Sequence, residues 1–521
     1  MSRWAAWGLA CGLACAPAGA RGLEFQATNL ADGRRGVDPD DRLPGLTAQR
    51  RTVFDQLDVE AAHGAWRAGL RLEAYTSSQE PQLDFAALSR RWAEWVSPHV
   101  EVRAGHYEAL FGRGLLLRAF ALPGVVREEF GTPQFGDGRD LDGVRLRAHG
   151  GSWDAEAVYG APRRADEPPE VSRRGDVAGA TAGIDLVPGL RLGFEATRLE
   201  APSTPGGNDV PIDAGGGFVR LGLDGWLRRA GLERLSADGW IEYVVARGLA
   251  LTPETSSPKS DADRGHGLYA SQSLFVRDLL PGLRWGTSFE LQSYHNLALD
   301  VNEPPSLVRE HPWALLNRRT HVTQVIQQEG YQIETQLEYR GIEATLNASR
   351  AENRASRQFR ERYAELAAGW RGARLALFAD AAQDESADLA ALRTFGGGLE
   401  LPLGGPHAVE IDLETQAGER ELGVVDRRFT DRHASIAWSW AERFTLAAVR
   451  QSTDDPFEAE DAAGRSARRR FEALHASVPL GRRHELLAFW GRRRGGLACT
   501  AGTCYKVRAF EGVQARLLSR F

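Results

Sequence analysis

The chain has 521 residues, with 64 Lys+Arg against 70 Asp+Glu, a formal net charge of -6 and 42% hydrophobic residues. Balanced charge and plentiful aromatics exclude a disordered, collagen-like or coiled-coil chain, and the slight acidity gives no reason to expect nucleic acid as a partner. Lysine occurs only at Lys259 and Lys506, so arginine carries nearly all the positive charge.

At the N-terminus, Arg3 precedes an apolar stretch from Trp4 to about Ala16, and Ala18-Gly19-Ala20 forms an A-x-A cleavage signal. This pattern predicts a secretory signal peptide over residues 1–20 and a mature chain over 21–521. Beyond it no run approaches the roughly 18 to 20 apolar residues of a membrane helix. A membrane β-barrel passes the same test, because only every second residue of its strands meets lipid.

Alternation of period two recurs from there to the C-terminus. A first strand is expected near Leu23–Asn29, and later ones place Leu70 and Leu72 opposite Arg67 and Arg71, and Leu192 and Phe194 opposite Arg191 and Glu195. Phe289 and Leu291 oppose Arg284 and Glu290; Ile333 and Leu337 oppose Glu334 and Glu338; Leu346 opposes Glu343; Ile411 and Leu413 oppose Glu410, Asp412 and Glu414. A helix would scatter these residues around its axis, whereas a strand sorts them onto two faces. Tight joints such as His63-Gly64, Pro188-Gly189, Pro281-Gly282, Arg340-Gly341 and Gly404-Gly405 alternate with long polar links, among them 108–141, 248–265 and 297–329. The joint Leu223–Asp238 is too long for a simple turn.

The fold expected is all-β: one large antiparallel transmembrane β-barrel of about 24 strands, within a range of about 20 to 26, with short periplasmic turns and long outer loops. The last strand is expected from Tyr505 to Phe521, with Val513, Ala515, Leu517 and Phe521 on one face and Gln514, Arg516 and Arg520 on the other. An alternating strand ending on an aromatic resembles the C-terminal signature of bacterial outer-membrane proteins. That resemblance implies outer-membrane lipid and the barrel-assembly machinery as partners, the latter through Phe521 as insertion signal. The segments Ala104-Gly105-His106-Tyr107-Glu108, Phe111-Gly112-Arg113-Gly114-Leu115 and Asp140-Leu141-Asp142-Gly143-Val144 resemble the barrel family called domain of unknown function 6029. That family implies a porin-like barrel and brings no functional residues with it.

Because lipid cannot satisfy a strand edge, a membrane sheet must close, and closure at this strand number leaves a wide interior. The expected function is therefore an outer-membrane porin-like channel for small hydrophilic solutes. The alternative is a structural or export barrel whose lumen a partner fills. A membrane-embedded hydrolase has less support, since no Gly-x-Ser-x-Gly elbow or His-Glu-x-x-His occurs. Candidate lining residues are Arg67, Arg71, Arg145, Arg147, Arg191 and Arg284, with Glu290, Glu334, Glu338, Glu343, Glu410, Asp412 and Glu414. The cations lean to the first half of the chain and the anions to the second.

The 108–141 link carries Arg113, Arg118, Arg127, Glu128, Glu129, Asp137, Asp140 and Asp142 beside apolar Leu115, Leu116, Leu117 and Phe120. Its own apolar face suits it either to fold inward as a constriction or to form an external cap. Trp66, Trp92, Trp95, Trp153, Trp240, Trp370, Trp438 and Trp440 are candidates for interface girdles. Cys499 and Cys504, in an exported chain, are expected to form a small loop disulfide. Asp137, Asp140 and Asp142 have the wrong spacing for a helical calcium hand. Neither a metal nor a cofactor is expected.

Overall fold

The computed structural model describes residues 22–37, 50–78, 81, 84–120, 140–162, 176–200, 211–248, 264–299, 301–323, 327–353, 357–422, 425–459, 468–500, 503–507 and 509–521. The signal-peptide expectation, and Arg127, Glu128, Glu129 and Asp137, lie outside them.

Strands follow one another along the chain as β1 (Leu23–Val37), β2 (Arg50–His63), β3 (Trp66–Ser77), β4 (Phe85–Val96), β5 (Val100–Tyr107), β6 (Ala109–Leu110) and β7 (Arg118–Ala119). Next come β8 (Leu141–His149), β9 (Trp153–Pro162), β10 (Val177–Val187), β11 (Leu190–Leu199), β12 (Ile212–Gly222), β13 (Leu235–Arg247), β14 (Arg264–Val276) and β15 (Leu283–His295). They continue as β16 (Gln327–Tyr339), β17 (Ile342–Asn353), β18 (Gln358–Trp370), β19 (Ala373–Asp384), β20 (Leu389–Gly404), β21 (His407–Leu422) and β22 (Val425–Trp440). The last are β23 (Phe444–Thr453), β24 (Arg469–Leu480), β25 (His484–Arg493), β26 (Gly496–Thr500), β27 (Thr503–Val507) and β28 (Phe510–Arg520).

Twenty-four of these form one antiparallel sheet, in which neighbours in sequence pair; β6/β7 and β26/β27 are separate two-stranded ribbons. β5 pairs with β8, and β25 with β28, across those ribbons. The sheet closes where β28 pairs with β1, from Thr28↔Arg520 to Val37↔Glu511. Beyond this register the backbones of Phe521 and Ala27 exchange hydrogen bonds of 2.8 and 3.3 Å. Closure leaves no edge of unpaired N–H and C=O groups, the condition lipid imposes on a sheet.

Alternation decides which face meets lipid. In β13, Ile241, Tyr243 and Val245 are exposed, while Trp240, Glu242, Val244 and Ala246 between them are buried. The same division puts Phe194, Ile333, Leu346 and Leu413 outside. Apolar side chains thus point outward, and polar or plug-covered ones inward. Short joints gather at the end that carries Leu23 and Phe521, which is the periplasmic end of such a barrel. The long joint between β12 and β13 holds a helix, Asp224–Arg229, pinned where Asp224 Oδ1 accepts from Ser236 Oγ (2.8 Å) and Ala237 N (3.1 Å).

Two expectations need correction. The segment from Tyr505 is not one strand: Thr503–Val507 pairs with Gly496–Thr500 in the β26/β27 ribbon, and the barrel strand begins at Phe510. The first strand is also longer than its alternation suggested, ending at Val37. Among the candidate girdle tryptophans, Trp66, Trp153, Trp370 and Trp438 are exposed, three of them beside short joints. Trp240 is instead inside, stacked on Phe218 at 4.5 Å between centroids, and Trp92 lies under the Arg103 guanidinium at 3.8 Å.

Candidate functional site

The site is the lumen, and two inward segments fill much of it. The first is the hairpin Ala109–Ala119, closed by the β6/β7 ribbon and by Phe111 N donating to Leu117 O at 3.0 Å. Phe111, Leu115, Leu116 and Leu117 are fully buried against Val158, Leu199, Phe218, Val244, Tyr269 and Tyr294. Those partners sit on strands from β9 to β15, so the hairpin reaches them only from within the closed sheet. Burying four such side chains contributes about 1.5–3 kcal/mol each, which keeps this loop inside rather than in solvent. Gly112 has φ +51°, and a Cβ there would meet the Glu242 carboxylate at 2.4 Å. That closeness lets Glu242 accept from Arg113 N (2.7 Å) and from Trp240 Nε1 (3.0 Å).

The second segment runs from Leu297 to His321. Its start packs on the first: Arg118 N donates to Val301 O at 2.9 Å, and Asn302 Nδ2 donates to Leu115 O (3.0 Å) and Leu297 O (2.7 Å). On β14, Gly267 leaves room for Leu297, whose Cδ2 lies 2.5 Å from where a Cβ would be. Further on, Trp313 stacks on Phe378 at 4.4 Å and donates from Nε1 to Tyr363 Oη at 2.8 Å. The short helix Ala314–Arg318 then meets the wall of β21. Glu414 accepts from Ala314 N and Leu315 N, each at 2.8 Å, and so satisfies two otherwise unpaired helix-start donors.

A charge cage holds the end of this segment. Arg319 reaches Asp431 (3.0 Å) and Asp455 (2.7 Å), Arg420 grips Asp455 with two bonds of 2.8 and 2.9 Å, and Arg494 bridges Asp431 (2.9 Å) and Glu458 (2.7 Å). Three guanidiniums face three carboxylates, which offsets the cost of burial. Burial alone would raise the Asp455 carboxyl, yet the Arg420 hydrogen bonds and the charges of Arg319 and Arg420 hold it below the usual range. Burial would likewise weaken the hold of Arg494 on its proton, but Glu458 and Asp431 raise it. Arg318, buried beside Arg494, is pushed down to about 10 and donates to Gly495 O.

The candidate lining residues lie on the inner face, most of them paired. Arg71 meets Asp58 (2.6 Å), Arg145 meets Glu94 (3.1 Å), and Arg147 meets Glu156 (2.7 Å). Arg191 contacts Asp154 and Asp185, Arg284 contacts Glu338, Glu334 contacts Arg309, and Glu343 meets Arg374 at 3.1 Å. Glu290 accepts from Tyr269 Oη (2.7 Å) and Asp412 from Ser435 Oγ (2.9 Å). Arg67 and Glu410 share these faces by register, near the periplasmic mouth. Where opposite charges pair in this way, the sequence's division into a cationic and an anionic half does not become a division of the wall. Of the 108–141 candidates, Arg113 lies over the Trp240 ring (5.1 Å), Arg118 faces Glu303 (3.9 Å), buried Asp140 accepts from Arg90 (2.9 Å), and Asp142 from Arg91 (3.4 Å).

Sequence reasoning missed the second segment, which it read as a polar link. The signal was present in Leu297, Leu299, Val301, Leu307, Trp313, Leu315 and Leu316, all buried, but at no fixed period. It also missed Asp431, Asp455, Glu458 and Arg494, which are spread along the chain and meet through the pairing of β22 to β25. Cys499 and Cys504 are direct cross-strand partners in the register of β26/β27. Among the described residues, no group of three or more His, Cys, Asp or Glu is placed to hold a metal ion.

A closed 24-strand sheet, apolar outside and polar within, defines a β-barrel of the bacterial outer membrane. The chain belongs to a family of unknown function (DUF6029), which it matches over residues 46–365, more than half its length. In fold it is similar to a chain of the E. coli P pilus tip assembly intermediate PapC-PapD-PapK-PapG (11% identity, TM-score 0.51), covering 97% of this chain and 62% of that one. It also resembles the PapC translocation pore (11% identity, TM-score 0.47, 95% and 99% covered). A ferric enterobactin receptor mutant from Pseudomonas aeruginosa gives 8% identity, a TM-score of 0.43, and coverage of 96% and 82%. No curated protein matches the chain.

Proposed function

We propose that the protein is a gated transport barrel, closed at rest by its own two inward segments and opened when a substrate or partner displaces them. The observation that carries this reading is the clasp of Glu414 on the start of the helix Ala314–Arg318, next to the cage around Arg319. An open diffusion pore has no use for a strap tied at that many points across its lumen. The reading is closer to a barrel whose lumen is occupied until needed, as in export or receptor function, than to a permanently open porin.

A second reading has its own observation. Beside the plug, a polar cavity of about 320 Å³ lies between Asp58, Arg71, Arg90, Arg103, Glu108 and Arg145. Small hydrophilic solutes crossing there, with the segments in place, would make the barrel a narrow porin.

Planar-bilayer recording separates the two. A gated barrel gives a mostly closed wild type, and Glu414→Gln combined with Arg319→Gln raises the open probability. Charge-assisted hydrogen bonds contribute about 1.5–3 kcal/mol each, so losing ~3 kcal/mol of closure shifts the closed-to-open ratio roughly 100-fold. A steady wild-type conductance unchanged in the variant would favour the narrow porin. Silence from a correctly folded variant would remove the gate.

A further inference from the structure

The outer wall of β22 to β25 carries two adjoining grooves, one cationic and one apolar. Register sorts the outward side chains into rows. Phe395, Thr415, Arg432, Ser452 and Arg470 are successive cross-strand partners from β20 to β24. The next row toward the periplasm is Leu413, Ala434, Arg450 and Glu472. Below that the wall is wholly apolar: Ile411, Ile436, Ala448, Leu474 and Trp490.

The upper groove has a volume of about 500 Å³ and is lined by Arg432, Arg450, Arg468 and Arg470 with Phe395 and Leu413. Among the described residues two carboxylates pair with these four guanidiniums, Glu472 at 3.4 Å from Arg450 and Asp454 at 2.9 Å from Arg468. Glu414, also on the lining, turns its carboxylate inward to Ala314 N and Leu315 N. The groove therefore keeps an excess of positive charge that faces outward rather than into the lumen. The lower groove, about 640 Å³, has Trp438, Leu474 and Trp490 as walls and Ala448, Ala476 and Ala488 as floor. Ala476 and Ala488 are cross-strand partners on β24 and β25, and Ala448 on β23 stands one row away, diagonal to Ala476; together they leave a dimple among larger side chains.

Height in the membrane identifies the occupant. A spanning strand needs about 9–11 residues. Trp440, at the short joint, to Arg432 is nine residues of β22, and Leu480 to Arg470 is eleven of β24. Both arginines thus stand where the hydrocarbon of the outer leaflet ends. Guanidinium groups match phosphate oxygens in geometry and charge, and in a half-dry setting such bonds are strong. A free phosphate has no use for the apolar dimple directly below, whereas a lipid acyl chain does.

We propose that these grooves form one binding site for a lipid of the outer leaflet whose phosphate headgroup carries net negative charge, that headgroup held by Arg432, Arg450 and Arg470 and an acyl chain lying over Ala448, Ala476 and Ala488. Such a lipid would brace the seam side of the barrel, since β25 pairs with β28 and β28 with β1.

Native mass spectrometry of the full barrel in detergent, titrated with lipid A, phosphatidylcholine or inorganic phosphate, tests this. Lipid A is expected to bind with a discrete stoichiometry, and phosphatidylcholine and inorganic phosphate weakly or not at all. Arg432→Gln/Arg450→Gln/Arg470→Gln is expected to lower lipid A affinity by about 10-fold or more. Ala448→Phe, which fills the dimple without touching charge, is expected to weaken lipid A as well. Arg350→Gln, an exposed arginine on β17, is expected to leave it unchanged. Should the triple variant fail to fold, Arg470→Gln alone carries the same reading. Wild-type affinity in the arginine variants, equal binding of phosphatidylcholine, or competition by inorganic phosphate at equal concentration would each overturn the proposal.

Discussion

Asp455 illustrates how much one buried carboxylate can hold. It accepts from two arginines through both oxygens, and Thr453 Oγ1 takes its backbone N–H at 3.0 Å. Removing one partner of such a pair leaves a buried charge uncompensated and costs about 3–5 kcal/mol. Because the folded carboxyl lies below its unfolded value, its contribution is full above roughly pH 4 and is lost as pH falls through the folded value. Thermal melts of wild type and Asp455→Asn should therefore differ at pH 7 and converge toward pH 2. A constant gap across that range would mean that Asp455 does not anchor the strap by its charge. None of this was legible from the residue itself: Asp455, Arg420 and Arg319 are far apart in sequence, and no spacing rule joins them.

Ribbons and segments outside the sheet set the character of this barrel at the scale of elements. The β26/β27 hairpin carries Cys499 opposite Cys504, with four residues between them in sequence. We expect the two thiols to be joined in protein isolated from the envelope. Alkylation before and after reduction, read by peptide mass, should label them only after reduction; free thiols in the untreated protein would refute it. Since the loop so closed is short, Cys499→Ser should cost no more than about 2 kcal/mol, read as a small drop in melting temperature. The two inward segments differ in how far the sequence announced them. Residues 109–119 carry consecutive leucines, so an apolar face was evident; whether it covered the barrel or entered it depended on the inner wall. Residues 297–322 alternate neither at period two nor at 3.6, and an irregular apolar segment gives no periodic signal.

For the whole molecule, the decisive quantity is which face of the sheet meets lipid. Ile241, at the middle of β13, is exposed on the outer wall, while Glu343 lies on the inner one in contact with Arg374. Ile241→Arg is expected to destabilise the folded barrel by about 2–4 kcal/mol at the bilayer midplane. Glu343→Gln, facing water, is expected to cost less than ~1 kcal/mol. Denaturant unfolding from lipid vesicles measures both. Equal costs would mean that the face assignment is wrong.

Period-two alternation and the rhythm of short and long joints are local properties, so the sheet, its two faces and a strand number of about 24, within about 20 to 26, were legible in the chain alone. Strand ends were less legible, since alternation fades where a strand leaves the bilayer, as at Val37 and around Tyr505. The state of the lumen was decided only by tertiary structure. Closure brings Glu414, Asp431, Asp455 and Arg494 within reach of one irregular segment, and an interior is a property of the closed ring that no single strand possesses. The outward arginine groove has the same origin: each arginine looks like an ordinary surface charge until register gathers Arg432, Arg450 and Arg470 on two neighbouring rows of the outer wall, above a patch of alanines.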